Sequence, residues 1–220
     1  MSSSSSALRA DIRRTYDYLE GGRVMRAIHC ARSPGVHTMV VYRFGRWLGT
    51  QSSLIRLFLE PIFLLLQLSI HIFWGIEIPR QARIGPGLYI GHFGGITISR
   101  DAVIGSNCNI SQDITIGIAG TGAKRGVPII GNNVYVGPGA RIFGKIRVGN
   151  NVQIGANAVV YTDIPDDADV ALNPGFRILS FSGKGAGFLV ESNCDEADYT
   201  KMSPPRSAPA STVSREFFGG

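Results

Sequence analysis

Between residues 76 and 165 the branched apolar residues of this chain recur six apart. Ile98, Ile104, Ile110 and Ile116 form one run, and Ile130, Val136, Ile142, Val148, Ile154 and Val160 form a second. Ile84, Ile90 and Ile96 keep the same period upstream, before a two-residue slip. The residue four further on is again mostly apolar, as at Ala102, Cys108, Ile114, Val134, Ala140, Ile146 and Val152. A helix repeats near 3.6 residues and a half-buried strand at 2. A period of six predicts the hexapeptide type of parallel β-helix, in which each unit is one flat side and three units close a triangular turn. Residues about eighteen apart then stack in columns. Gly105, Gly117, Gly131, Gly137, Gly149 and Gly155 follow the interior positions, and Asn107, Asn132, Asn133, Asn150 and Asn151 fall at corners, where Gly relieves crowding and Asn tolerates positive φ.

Ahead of the coil the spacing is helical. Leu8, Ile12, Tyr16 and Leu19 form a stripe that predicts a helix over 7–29, with a serine run offering an N-cap. Ser33-Pro34-Gly35 breaks the chain, and Val36, Met39, Val40, Phe44, Trp47 and Leu48 mark a second amphipathic stripe. Residues 54–75 are the most apolar stretch and approach the length of a membrane span. Arg56, Glu60, Pro61, Gln67 and His71 interrupt it, which favours a helix packed on neighbouring subunits or on the end of the coil over membrane contact. Ile116 and Ile130 are fourteen apart, so a loop over 117–129 is pushed out of the coil; its glycines and Lys124-Arg125 predict a mobile arm that faces a ligand. Tyr161–Phe176 leaves the repeat, and from 183 onward Gly, Ser, Pro and charge predict a disordered tail. The expected division is a helical domain over 1–75, the β-helix over 76–165, a closing segment over 166–182 and the tail over 183–220.

The 220 residues suffice for one substantial core and a smaller appendage, and the coil corners account for the 28 glycines. Three cysteines without metal-like spacing, with Cys108 on an interior position, predict reduced thiols in the cytoplasm. A Ser-rich, then charged start predicts no secretory leader. The net charge of +6 is concentrated early. No basic-aromatic interleaving accompanies it, which argues against a nucleic-acid partner.

Of four histidines, His92 alone lies in the coil, in Tyr89-Ile90-Gly91-His92-Phe93-Gly94-Gly95, where the register slips. An imidazole at a coil surface either acts as a general base near neutral pH or is a plain surface side chain. A base needs a partner that orients it, and Glu77, fifteen residues earlier, sits on the adjacent rung. A zinc-dependent hexapeptide carbonic anhydrase needs three histidines at subunit seams, and one is present, so no metal is expected.

The segments IEIPRQARIGPGLYIGHFGGITIS, DAVIGSNCNISQDITIGIAGTG and VYVGPGARIFGKIRVGNNVQIGANAVVYTDIP, with the helix SPGVHTMVVYRFGRWL, resemble the left-handed hexapeptide acyltransferases, specifically the serine acetyltransferase group. The resemblance covers roughly residues 33–165. It implies a left-handed coil, against the usual crossover handedness, and an acetyl-CoA-dependent O-acetyltransferase. His92 matches the group's catalytic histidine, and Glu77 the position of its orienting aspartate. Gly120 and Thr121 match loop contacts to CoA, with Pro138 and Ala156 matching contacts on later rungs. A homotrimer follows from sites shared between subunits, with pairing into a dimer of trimers also implied.

Three departures bear on the acceptor. Gly91 stands where the group has an aspartate, and Gly126-Val127 stand where it has an Arg-His pair that holds the amino acid. Arg125 is the nearest cation left to hold a carboxylate. The sequence ends Phe217-Phe218-Gly219-Gly220, unlike the group's docking tail for the next enzyme of cysteine synthesis. These departures shift the expected acceptor to a saccharide or other small hydroxyl compound, as in polysaccharide biosynthesis. L-serine is the alternative, and a non-catalytic β-helix scaffold is the competing class.

Overall fold

The computed structural model describes residues 4–172. The tail from 183, the Asn173–Arg177 stretch, Cys194 and the diphenylalanine end lie outside the described residues. Four helices come first: α1 (Ser4–Tyr18), α2 (Arg23–Arg32), α3 (Pro34–Leu48) and α4 (Ser53–Trp74). The coil follows rung by rung. The first rung holds β1 (Ile76–Glu77), β2 (Arg83–Ile84) and β3 (Tyr89–Ile90), and the second β4 (Ile96–Ile98), β5 (Val103–Ile104) and β6 (Asn109–Ile110). The third holds β7 (Thr115–Gly117), β8 (Ile129–Ile130) and β9 (Tyr135–Val136), and the fourth β10 (Arg141–Phe143), β11 (Arg147–Val148) and β12 (Gln153–Ile154). β13 (Val159–Val160) and β14 (Asp169–Val170) belong to the fifth.

Three parallel sheets result, wound as a left-handed β-helix. The first side stacks β1, β4, β7, β10 and β13; the second β2, β5, β8 and β11; the third β3, β6, β9, β12 and β14. Residues eighteen apart pair, as Ile98 with Ile116 and Ile142 with Val160. Ile76 pairs with Ile96 across the slip, and Ile116 with Ile142 across the arm. Every six-spaced residue from Ile98 to Val160 named above is at most 3% exposed. Each such burial contributes roughly 1.5–3 kcal/mol. At one corner the side chains form their own ladder. Asn132 Oδ1 accepts from Ser106 N (2.8 Å), Asn150 Oδ1 from Asn132 N (2.9 Å) and Asp166 Oδ1 from Asn150 N (2.8 Å). Asn107, Asn133, Asn151 and Asp167 continue it at φ between 56° and 59°. The coil runs past its expected end: Ile164 bridges to Val148, and Val170 pairs with Ile154. Apolar positions at 164 and 170 keep the period through a segment whose Pro and Asp content had suggested a departure.

The helical expectations need correction. The helix predicted over 7–29 is two, because Gly21 takes a φ of +107° and the chain reverses. α1 buries Ala7, Asp11 and Thr15, while the expected stripe of Leu8, Ile12 and Tyr16 is half-buried. α3 buries Val36, Met39, Tyr42, Arg43 and Leu48, and leaves Val40 and Trp47 exposed. The physical reason is the open edge of the first rung. Its backbone has no strand beneath it, and an unpaired edge needs cover. Tyr42 donates to Ala82 O (2.7 Å) and accepts from Ile84 N (3.2 Å). Arg43 donates to Ile84 O (2.8 Å), Gly85 O (2.6 Å) and both Asp11 carboxylate oxygens (2.8 and 3.2 Å). Asp11 Oδ1 accepts from Gly87 N (2.7 Å) and Leu88 N (3.0 Å). Tyr42, Arg43 and Asp11 therefore share the contact face with the buried Met39, while Val40 and Trp47 turn outward.

Close approach of α3 depends on Gly35. A Cβ there would stand 2.5 Å from Ile90 O and 2.9 Å from Ile90 Cβ. Backbone cannot swing aside, so Gly35→Ala is expected to cost about 1–3 kcal/mol. A urea or thermal melt reads this; an unchanged midpoint would show that α3 seats elsewhere. α4 leaves the coil through Gly75 and packs along α3 and β1. It buries only Phe63 and Ile70, so within one chain it meets α3 and the start of the coil, as expected, and most of its apolar surface stays open to neighbouring subunits.

Candidate active site

The edge between the third and first sides carries the residues of interest in a column. Gly91 N donates to Ile110 O (3.3 Å) and Asp113 N to Gly94 O (2.7 Å), so the His92 segment lies on the Ser111–Asp113 corner. Gly139 N donates to Gln112 O (3.1 Å), and Asn157 N to Pro138 O (2.8 Å). His92, Gln112, Pro138 and Ala156 thus follow one another down a single edge. The extra two residues of the slip bulge out at His92, whose side chain is exposed. Beside it Tyr89 lies over Gly91, 3.1 Å from where a Cβ would stand, and stacks on Tyr18 at 4.4 Å. Phe93 meets Trp74 edge-on at 5.2 Å.

Glu77 lies elsewhere. Fifteen residues fall short of a whole rung, so Glu77 pairs with Thr97 on the first side. Among the described residues neither the Glu77 nor the His92 side chain makes a hydrogen bond or ion pair. Glu77 instead lines a cleft of about 370 Å³ with Leu64, Gln67, Leu68 and His71 of α4. A larger hollow of about 470 Å³, lined by Arg13, Arg14 and Tyr18 of α1 and by Asn107, lies by another corner. The arm leaves at the edge between the first and second sides. It is a closed hairpin: Ala119 and Gly126 exchange backbone hydrogen bonds (3.1 and 3.0 Å) around a 3-10 turn at Gly122–Lys124. Gly120 has a φ of +89°, and a Cβ on it would stand 2.5 Å from Lys124 O. Thr121 and Arg125 are exposed on the same arm. One face of one chain therefore separates the arm from the His92 edge, and a groove between two coils would bring such edges together.

Two features escaped the sequence reading. Gln112 follows His92 by one rung, and its Oε1 is buried without a partner; the stacking interval was the available signal. Asp113 and Arg141 form an ion pair at 3.0 Å on the same edge. Cys108, 1% exposed, is inert filling, and burial pushes its thiol up. Among the described residues no group of three or more His, Cys, Asp or Glu is placed to hold a metal.

A triangular coil of hexapeptide rungs, with an unpaired imidazole on one edge and an arm on the next, defines the hexapeptide transferase class. Residues 128–163 match the family described as bacterial transferase hexapeptide (six repeats). A serine acetyltransferase of Helicobacter pylori is 42% identical over 134 residues, which cover 60% of this chain and 74% of that protein. One from Synechococcus elongatus is 40% identical over 150 residues, covering 68% and 59%. The crystal structure of the Brucella abortus serine acetyltransferase in complex with coenzyme A superimposes with a TM-score of 0.65 at 29% identity, covering 77% of this chain and 65% of that one. The chain belongs to the serine acetyltransferase family. It spans 59% of the length of the Synechococcus relative.

Proposed function

We propose that this chain transfers the acetyl group of acetyl-CoA to the hydroxyl of L-serine, as a trimer in the cytoplasm. The saccharide acceptor expected from the departures at Gly91 and Gly126-Val127 has no support among the relatives, which are named serine acetyltransferase. The observation that carries the proposal is the unpaired, exposed His92 on a hexapeptide edge of this family. In the reaction His92 takes the proton of the serine hydroxyl as that oxygen attacks the thioester carbonyl. The C–O bond forms, the C–S bond breaks, and the proton passes to the leaving sulfur. The Ala156 N–H, at an exposed corner, donates to no described residue, which leaves it for a carbonyl oxygen of the bound thioester or pantetheine arm. Gly120 and Thr121 of a neighbouring arm close the groove.

Serine carries an ammonium and a carboxylate, and both need partners. With Gly91 lacking a side chain, the charges at hand on this edge are those of Asp113 and Arg141. We assign the ammonium to Asp113 and the carboxylate to Arg141. The glycines at 91 and 126 favour a second acceptor class, a neutral hydroxyl compound, and one assay separates the two. Thiol release from acetyl-CoA is followed with L-serine, glycerol or free hexoses as acceptor. L-serine alone is expected to accelerate it, and Arg141→Gln to raise the KM for serine at least about tenfold with kcat nearly unchanged. Saturation by a hexose without response to serine would establish the neutral acceptor instead.

A further inference from the structure

Arg14 of α1 is a half-buried cation without a counter-ion. Its Nη2 donates to Asn109 Oδ1 (2.8 Å), and its Nε is buried with no acceptor. Among the described residues no carboxylate pairs with it. Arg43, packed against the same coil, has what Arg14 lacks: the Asp11 carboxylate meets its guanidinium at 2.8 Å. A guanidinium carries five N–H donors, and drawing it out of water without acceptors is costly. The Arg14 guanidinium is also fixed in place. Asn109 holds it from the coil, and it stands 5.7 Å from the centre of the Tyr18 ring.

The Arg14 side chain lines the 470 Å³ hollow between α1 and the Asn107 corner, a volume within the usual range of small-molecule sites. The charges around this hollow do not balance. Asp17 is the carboxylate in the lining, and it already faces Arg13 at 3.8 Å and Arg26 at 3.6 Å. Arg14 is left over. Asn109 Nδ2 donates to the Tyr18 hydroxyl (3.0 Å), which leaves the hydroxyl hydrogen free to be donated in turn. Two guanidinium forks and one hydroxyl donor therefore share a single hollow, and such a set suits the several oxygens of a phosphate group.

A neighbouring coil does not claim this place. In the proposed trimer the His92 edge of one coil meets the arm of the next, and both of those edges border the first side. Asn107 lies on the remaining edge, between β5 and β6, opposite that side and facing outward.

We infer that the hollow between α1 and the edge of the second and third sides binds a phosphate group, either as the free ion or as the phosphate of a small metabolite. Arg14 and Arg13 hold its oxygens, and Tyr18 donates to one of them. The bound charge completes Arg14 as Asp11 completes Arg43.

Calorimetric titration of the full chain with inorganic phosphate, at constant ionic strength in chloride, tests this. One saturable site per chain is expected. Arg13→Gln, whose side chain is 85% exposed and bears on no packing, should weaken binding about threefold or more. Arg13→Gln/Arg14→Gln should weaken it at least about tenfold. Gln at 14 keeps an amide N–H for Asn109, so the thermal midpoint of the double variant in chloride should match the wild type. Glucose 6-phosphate and glucose separate the two sources. Tighter binding of the ester than of the ion assigns the site to a metabolite, equal or weaker binding assigns it to free phosphate, and glucose alone should not bind. The stacked Tyr18 and Tyr89 rings stand between the hollow and the His92 edge, so saturating CoA should leave phosphate in place. Displacement by CoA, absence of a saturable site, or equal affinity in both variants would overturn the inference. The readout is binding, so it holds whether or not the chain acetylates serine.

Discussion

Replacing His92 with Ala is expected to lower the rate of acetyl transfer by about 10²–10⁴, the usual contribution of a positioned general base. The fold should not respond. His92 sits in a bulge outside the rung register, is exposed, and holds no described hydrogen bond. Its loss removes only a proton acceptor, so the KM for acetyl-CoA should stay within about twofold of the wild-type value while kcat falls. Initial rates of thiol release across the neutral range, with a melting curve on the same sample, test all of these. A loss of less than about tenfold in kcat would remove His92 from the role of base.

Arg43→Ala should be the most damaging change to stability. Arg43 is buried, and its guanidinium donates to Asp11, Ile84 O and Gly85 O. Removing one member of a buried pair leaves the other without compensation, at a cost of about 3–5 kcal/mol. Burial pushes the Asp11 carboxyl above its ordinary value, while the Arg43 guanidinium and the Gly87 and Leu88 N–H groups pull it down. Without Arg43 the upward push grows. The folded variant then holds a proton that the unfolded chain releases, so its stability falls as pH rises above the ordinary carboxylate value of 3.8. The deficit against wild type should be largest near neutral pH and should narrow on acidification. Urea melts at several pH values test the sign, and a deficit that widens in acid would refute it.

Much of the coil was legible because a single rule governs it. Each rung repeats the same problem, an inward branched side chain followed by a corner, so Ile98 to Val160 and Asn107 to Asn151 announce themselves. The helices answer a different demand. Arg43 and Asp11 are 32 positions apart, and neither looks like a core residue until the open edge of the first rung is placed beneath them. Hydropathy along residues 54–75 reports a preference for leaving water and says nothing of which surface receives it. For the site, stacking intervals carried part of the answer. His92, Pro138 and Ala156 share one edge once the two-residue slip and the arm are allowed for, and the same count would have found Gln112. The Glu77–His92 pairing did not follow, because fifteen residues is a fraction of a rung and lands on a neighbouring side.

The hairpin that leaves between β7 and β8 has a further consequence. Its neck closes on itself through Ala119 and Gly126, and the ladder above and below it keeps pairing as though nothing had been inserted. Length at that point is therefore decoupled from folding. Descendants of such a gene are free to lengthen, trim or exchange the excursion while inheriting the prism intact, so selectivity can diverge quickly on an architecture that itself hardly changes.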